Sequence, residues 1–291
     1  MSFYVTGDIH GNLNRIYNFC DNYKTKDTDA LIILGDVGFN YYLNKTDQKN
    51  KNIVQHLGCK IYCVRGNHEE RPENLSTIKT VYDPTVSNDV WYEEAYPNIR
   101  YLKDGYTYIF DGYTALVLGG AYSVDKYYRI GRAQSQGIDC TKHWCGWFQD
   151  EQLTEQEMQE IQQNVTGKTF DFILSHTCPY EWQPFDLFLP SVNQSAVDNT
   201  MEHWMNDLKN QIHWNHAWLF GHFHADRIVR PHVEMFMSDI CPLEEIANRW
   251  KDWDDGYKLD WWLELDPTWP FWNEEMDKRK YKGSTFGEIE E

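Results

Sequence analysis

Apolar positions along the chain come in short runs, each closed by a glycine or a polar cluster, and this punctuation predicts strands. Residues 2–7 (SFYVTG), 30–35 (ALIILG) and 60–66 (KIYCVRG) are the first three runs. Helical patterns over 12–23 and 47–57 separate them. Strand, helix, strand, helix, strand predicts a parallel sheet with right-handed crossovers. Runs at 106–110 and 113–120 flank Asp111-Gly112, a dipeptide suited to a tight hairpin. Thr154 and Glu157 have capping-box spacing and open a polar helix to about residue 164. A buried strand over 170–176, a helix over 197–212 and a strand over 216–224 follow. Residues 233–238 are expected to pair antiparallel beyond that last strand.

Composition sets the scale. The 291 residues, 41% hydrophobic and 16% aromatic, suffice for one large α/β domain with a sizeable core. That domain is expected over 1–241, with 242–291 as an acidic, tryptophan-rich extension carrying Trp250, Trp253, Trp261, Trp262, Trp269 and Trp272. So much indole is costly to leave in water, so the extension is expected to pack on the domain; docking of a partner or self-association is the alternative. Seven scattered cysteines read as reduced thiols. Cys140 and Cys145 flank His143 like half a zinc site, but no second half follows. No apolar run reaches the length of a membrane span, and the strand starting at residue 2 leaves no room for a signal peptide. A soluble cytoplasmic protein is expected. The formal charge of −18 opposes long nucleic acid and anionic membranes. Any phosphate handled here needs a local reversal of the field.

Candidate chemistry sits at the strand ends. The runs close as Gly7-Asp8-Ile9-His10-Gly11, Gly35-Asp36-Val37-Gly38, Gly66-Asn67-His68-Glu69, Ser175-His176 and Gly221-His222-Phe223-His224. In an open α/β sheet the carboxyl ends share one edge, the usual place for a ligand. A single Asp-x-His is ordinarily a capped turn, and a single His-x-His an exposed edge. Five such endings in order, each after an apolar strand, are not explained as turns. Mixed oxygen and imidazole donors suit zinc, iron or manganese rather than magnesium or calcium. The donors exceed the needs of one ion and suit two, about 3.5–4 Å apart, with a bridging carboxylate.

In these ordered motifs, GDIHG, GD at 35–36, GNHE, His176 and GHFH, the chain resembles the calcineurin-like metallophosphoesterases from about residue 3 to 240. The resemblance implies a four-layer α/β/β/α sandwich with a dinuclear metal centre at the carboxyl ends of the strands. It implies Asp8, His10 and His224 as ligands of one ion, Asn67, His176 and His222 as ligands of the other, and Asp36 as the bridge. His68 is implied as the general acid that protonates the leaving group. The cofactors would be two divalent or trivalent transition-metal ions, manganese, iron or zinc. The expected reaction is hydrolysis of a phosphate monoester or diester, such as a small nucleotide or phosphopeptide, by direct attack of metal-bound hydroxide.

GDIHG and RGNHE lean toward the phosphoprotein phosphatase branch, but that branch continues its second motif as Asp-x-x-Asp-Arg-Gly, whereas here Asp36 is followed by Val37-Gly38-Phe39-Asn40. The carboxylate that would orient the catalytic histidine and the arginine that would clamp phosphate are both missing from this stretch. A serine/threonine protein phosphatase is therefore the alternative activity, and a metal-binding scaffold the non-enzymatic one. Substrate cations are expected from Arg71, or from Lys126, Arg129 and Arg132 in a loop following Gly119-Gly120.

Overall fold

The strand-forming runs are apolar at consecutive rather than alternate positions, so both of their faces have to be covered. The computed structural model describes residues 2–26 and 28–252. Strands β1 (Phe3–Thr6), β2 (Ala30–Ile33) and β3 (Lys60–Cys63) lie parallel, joined through helices α1 (Leu13–Tyr23) and α2 (Lys45–Val54). Strands β4 (Ile78–Asp83), β5 (Asn88–Glu93) and β6 (Ile99–Tyr101) extend this sheet beyond β3. A second sheet contains β7 (Thr107–Phe110), β8 (Tyr113–Leu118), β9 (Thr169–Ser175), β10 (His213–Phe220), β11 (Arg227–Arg230) and β12 (Val233–Met235). Its order is β11-β12-β10-β9-β8-β7. Asp111 and Gly112, both at positive φ, make the two-residue turn between β7 and β8.

Alternation within β2 shows how the layers form. Ala30 and Ile32 pack between the sheets with Phe3, Val64, Phe110 and Leu174. Leu31 and Ile33 point the other way, under Ile16 and Phe19 of α1 and Val54 of α2. Helices α4 (Glu155–Val165) and α5 (Thr200–Leu208) bury Met158, Ile161, Met201 and Met205 against Leu116, Ile173 and Trp218 of the second sheet. The result is the expected four-layer sandwich.

The structure corrects several sequence expectations. Strand β12 runs parallel to β10, not antiparallel. Strand β11, with its charged ends, reverses the chain first, and a second turn at 231–232 inserts β12 between β10 and β11. Residues after Ser123 are not a loop but helix α3 (Lys126–Ser135). Ala133 is its one buried residue, so no apolar stripe marks it in the sequence. Strands β4 and β5, part-exposed and rich in polar residues, and the three-residue β6 carry no long apolar run to mark them in the sequence. The seven thiols are not all free: Cys140 and Cys145 form a disulfide within their short loop, and the other five are unpaired.

The start of the tryptophan-rich extension belongs to the sandwich. Strand β13 (Cys241–Pro242) pairs with β1, and α6 (Leu243–Asp252) buries Leu243, Ile246, Ala247 and Trp250 at helical spacing. Trp250 Nε1 donates to Glu234 Oε1 at 2.7 Å. The remaining tryptophans, Trp253 to Trp272, lie outside the described residues.

One buried carboxyl in α5 gives a pH test of stability. Glu202 Oε1 accepts from Thr177 Oγ1 at 2.9 Å, while Oε2 has no hydrogen-bond partner among the described residues. Burial pushes this carboxyl up from 4.5 to about 7. Its folded pKa is raised, so stability is full below the unfolded value near 4.5 and is lost as pH rises toward 7. The penalty above pH 7 is about 3 kcal/mol. Glu202→Gln is therefore expected to raise Tm at pH 8 and leave it little changed at pH 4, as thermal unfolding at the two pH values would show.

Candidate metal centre

Sharp turns at the strand ends bring the polar side chains together. His10 (φ 44°), Asp36 (φ 46°), His222 (φ 68°) and His224 (φ 54°) all lie in the left-handed region. Such backbone costs about 1–3 kcal/mol per residue and persists where the surroundings impose it. Two glycines permit the close approach: a Cβ on Gly66 would overlap Asp36, and one on Gly221 would overlap Asp8 Oδ1.

Two donor sets result. In the first, His10 Nε2 and His224 Nε2 are 3.0 Å apart, and Asp8 Oδ2 is 3.4 Å from His224 Nε2 and 3.8 Å from His10 Nε2. In the second, Asn67 Oδ1 is 2.8 Å from His176 Nε2 and 3.1 Å from His222 Nδ1. Asp36 reaches both: Oδ2 is 3.9 Å from His10 Nδ1, and Oδ1 is 3.6 Å from His176 Nε2. Donors held at about 2.0–2.2 Å from one ion are roughly 2.8–3.6 Å apart, and the donors of both sets lie within or close to that spacing, as a bound transition metal needs. A further sign is Asp8 Oδ2, fully buried yet without a hydrogen-bond partner among the described residues. An orphaned, buried carboxylate oxygen calls for a cation. Asp8 is common to two groups of side chains close enough to share an ion, Asp8/His10/His224 and Asp8/Asp36/His176.

Ring orientation is set from behind. His176 Nδ1 donates to the Leu34 carbonyl at 2.7 Å, which leaves the Nε2 lone pair facing the cluster. Burial would raise the carboxyls of Asp8 and Asp36, but neighbouring imidazoles outweigh it and hold both below the usual range. Burial also pushes His222 down to about 3, keeping it neutral and able to ligate.

His68 stands beside the cluster. Its backbone N donates to Asp36 Oδ1 at 2.8 Å, and its ring centroid lies 5.9 Å from that of His10. Its Nδ1 is buried without a partner among the described residues. Burial pushes its pKa down, against the opposing charge of Asp36.

The substrate cations expected from the sequence are not gathered here. Arg71 is buried, donating to the carbonyls of Asp150 and Gln152 and to Glu157, so its guanidinium anchors the start of α4. Lys126 lies over the Trp147 ring at 4.5 Å, and Arg132 is exposed in the last turn of α3. Arg129 approaches His68 most nearly, through Tyr41, and is held by Asp125 at 2.6 Å.

Sequence reasoning missed the support behind Asn67. Asn67 Nδ2 donates to Ser123 Oγ at 2.8 Å, and Ser123 Oγ donates to Glu151 Oε2 at 2.5 Å. Ser123 N donates to Glu151 Oε1 at 3.1 Å. This chain fixes the amide so that Oδ1, not Nδ2, faces the two histidines. Ser123 follows a strand and two glycines, which was a usable signal; Glu151 carried none. Ser123→Ala is expected to weaken metal binding about 10–100-fold without unfolding the protein, measurable by calorimetric titration with manganese.

A family model for calcineurin-like phosphoesterases matches residues 1–226. Among solved structures, the crystal structure of a phosphopantetheinyl hydrolase from Mycobacterium tuberculosis is similar, at 13% identity and a TM-score of 0.40, covering 89% of this chain and 94% of that one. No curated protein matches the chain.

Proposed function

We propose, from the premise that the chain belongs to the calcineurin-like phosphoesterases, that this metal-dependent phosphoesterase hydrolyses a small phosphate ester at the Asp8–Asp36 cluster, with His68 as proton donor. The observation that carries the reading is the convergence of seven donor residues from five strand ends, beside a half-buried histidine. Transition-metal ions, when bound, supply neutralisation of the phosphoryl oxygens and a nucleophile at neutral pH. Asp8, His10 and His224 would hold one ion, and Asn67, His176 and His222 the other, with Asp36 between them. His68 lies outside both sets and gives its proton to the departing oxygen. No residue is required to accept the phosphoryl group covalently.

The protein-phosphatase alternative gains no support from Phe39, which occupies the position of the missing carboxylate and is fully buried in the core beneath α1 and α2. Nor does the scaffold alternative, because every expected donor is present.

The test is hydrolysis of p-nitrophenyl phosphate and of bis-p-nitrophenyl phosphate by manganese-loaded protein, before and after chelation. Turnover of one ester is expected, lost with chelator and in Asp36→Asn and restored to the wild type by added metal. The preferred ester then separates monoesterase from diesterase. Metal bound with neither ester cleaved would favour the scaffold.

A further inference from the structure

We propose that Tyr41, Tyr42 and Trp144 form a stacking site for the base of a nucleoside on the leaving-group side of the phosphate, an inference that rests on His68 being the proton donor. A proton donor marks the side from which the organic group departs. On that side the first ring met is Tyr41, edge-on to His68 with centroids 6.4 Å apart. The same ring touches Tyr42 at 4.8 Å and Trp144 at 5.5 Å, and those two meet each other at 5.8 Å. Tyr42 and Trp144 nevertheless remain 44% and 42% exposed, so aromatic surface stays open to solvent one ring beyond Tyr41.

The rings are held in place rather than left loose. Tyr41 Oη accepts from Arg129 Nη1 at 2.5 Å, and Arg129 also donates to the Gly146 carbonyl at 2.8 Å, next to the loop that carries Trp144. The Cys140–Cys145 disulfide closes that loop, and Tyr41 rests on the buried ring of Phe148. A preorganised aromatic surface binds a planar ring with little ordering cost. Tyr41 adjoins the proton donor, while Tyr42 and Trp144 lie one ring further out. A sugar next to the phosphate would pass Tyr41, and a base beyond it would reach the outer pair. A mononucleotide also suits the acidic surface, since it presents a single phosphate group to the metal cluster, whereas a long strand brings many.

The probes are hydrolysis-inert methylenephosphonates, one the analogue of a nucleoside 5′-monophosphate and the other its ribose counterpart lacking the base, titrated into manganese-loaded protein. The base is expected to tighten binding about ten-fold or more. Trp144→Ala and Tyr42→Ala should abolish that advantage, while Tyr82→Ala, exposed on β4, keeps it. Equal binding of the two probes by the wild type, or an advantage that survives both substitutions, overturns the site. A base advantage that the substitutions remove, in a protein that cleaves no ester, upholds the stacking site and removes the hydrolytic reading instead.

Discussion

Asp8→Asn protein is expected to lose the ion held with His10 and His224 and to hydrolyse esters about a thousand-fold more slowly than the wild type. Asp8 is fully buried and shared by both possible metal groups. Its Oδ1 accepts from the His222 backbone at 2.9 Å, and its Oδ2 faces His224 and His10. An amide there removes the charge and directs either a poor ligand or an N–H toward the imidazoles. Removing one partner of a buried charged group costs about 3–5 kcal/mol, which is roughly a 10²–10⁴-fold effect. His224→Ala removes a neutral donor from the same set and should weaken that ion less, because the buried carboxylate remains. Metal-to-protein ratios by plasma mass spectrometry separate the two cases. Two ions retained in Asp8→Asn would remove Asp8 from the donor set.

His68→Ala is expected to keep its metal and lose rate. The His68 side chain makes no hydrogen bond to either donor set among the described residues; its ring lies beside that of His10, and its backbone bond to Asp36 ties it to the cluster. Proton donation contributes about 10²–10⁴-fold, so hydrolysis of phenyl phosphate should fall by that factor. p-Nitrophenolate is a far better leaving group and needs the proton less, so its ester should suffer a smaller loss. A steeper dependence on leaving-group acidity, with unchanged metal content, is the signature of a missing acid. Equal losses on both esters would make His68 a structural neighbour of Asp36.

The strand-end donors were legible because both parts of their signal are local. An apolar run followed by glycine and a polar residue states where a strand stops and what it presents there, and parallel pairing brings the ends of β1, β2 and β3 to one edge of the first sheet and those of β9 and β10 to one edge of the second. Asp8, His10, Asp36 and Asn67 meet His176, His222 and His224 because the two sheets pack face to face. Arg71 illustrates the limit. Its place after GNHE suggested a phosphate contact, but Asp150, Gln152 and Glu157, from a segment far along the chain, enclose its guanidinium.

By itself, then, the amino-acid order determined the alternation of strands and helices, the four-layer architecture through the family resemblance, and the residue types at each strand end. Tertiary structure alone decided the parallel insertion of β12, the Ser123–Glu151 support of Asn67, the meeting of the donor-bearing edges of two sheets, and the aromatic surface around Tyr41. Period, capping and turn chemistry act over a few neighbouring residues and leave a pattern in the chain. Pairings such as Asn67 with Ser123, or Tyr41 with Trp144, join residues separated by 56 and 103 positions, and only the packing of layers brings such residues within reach.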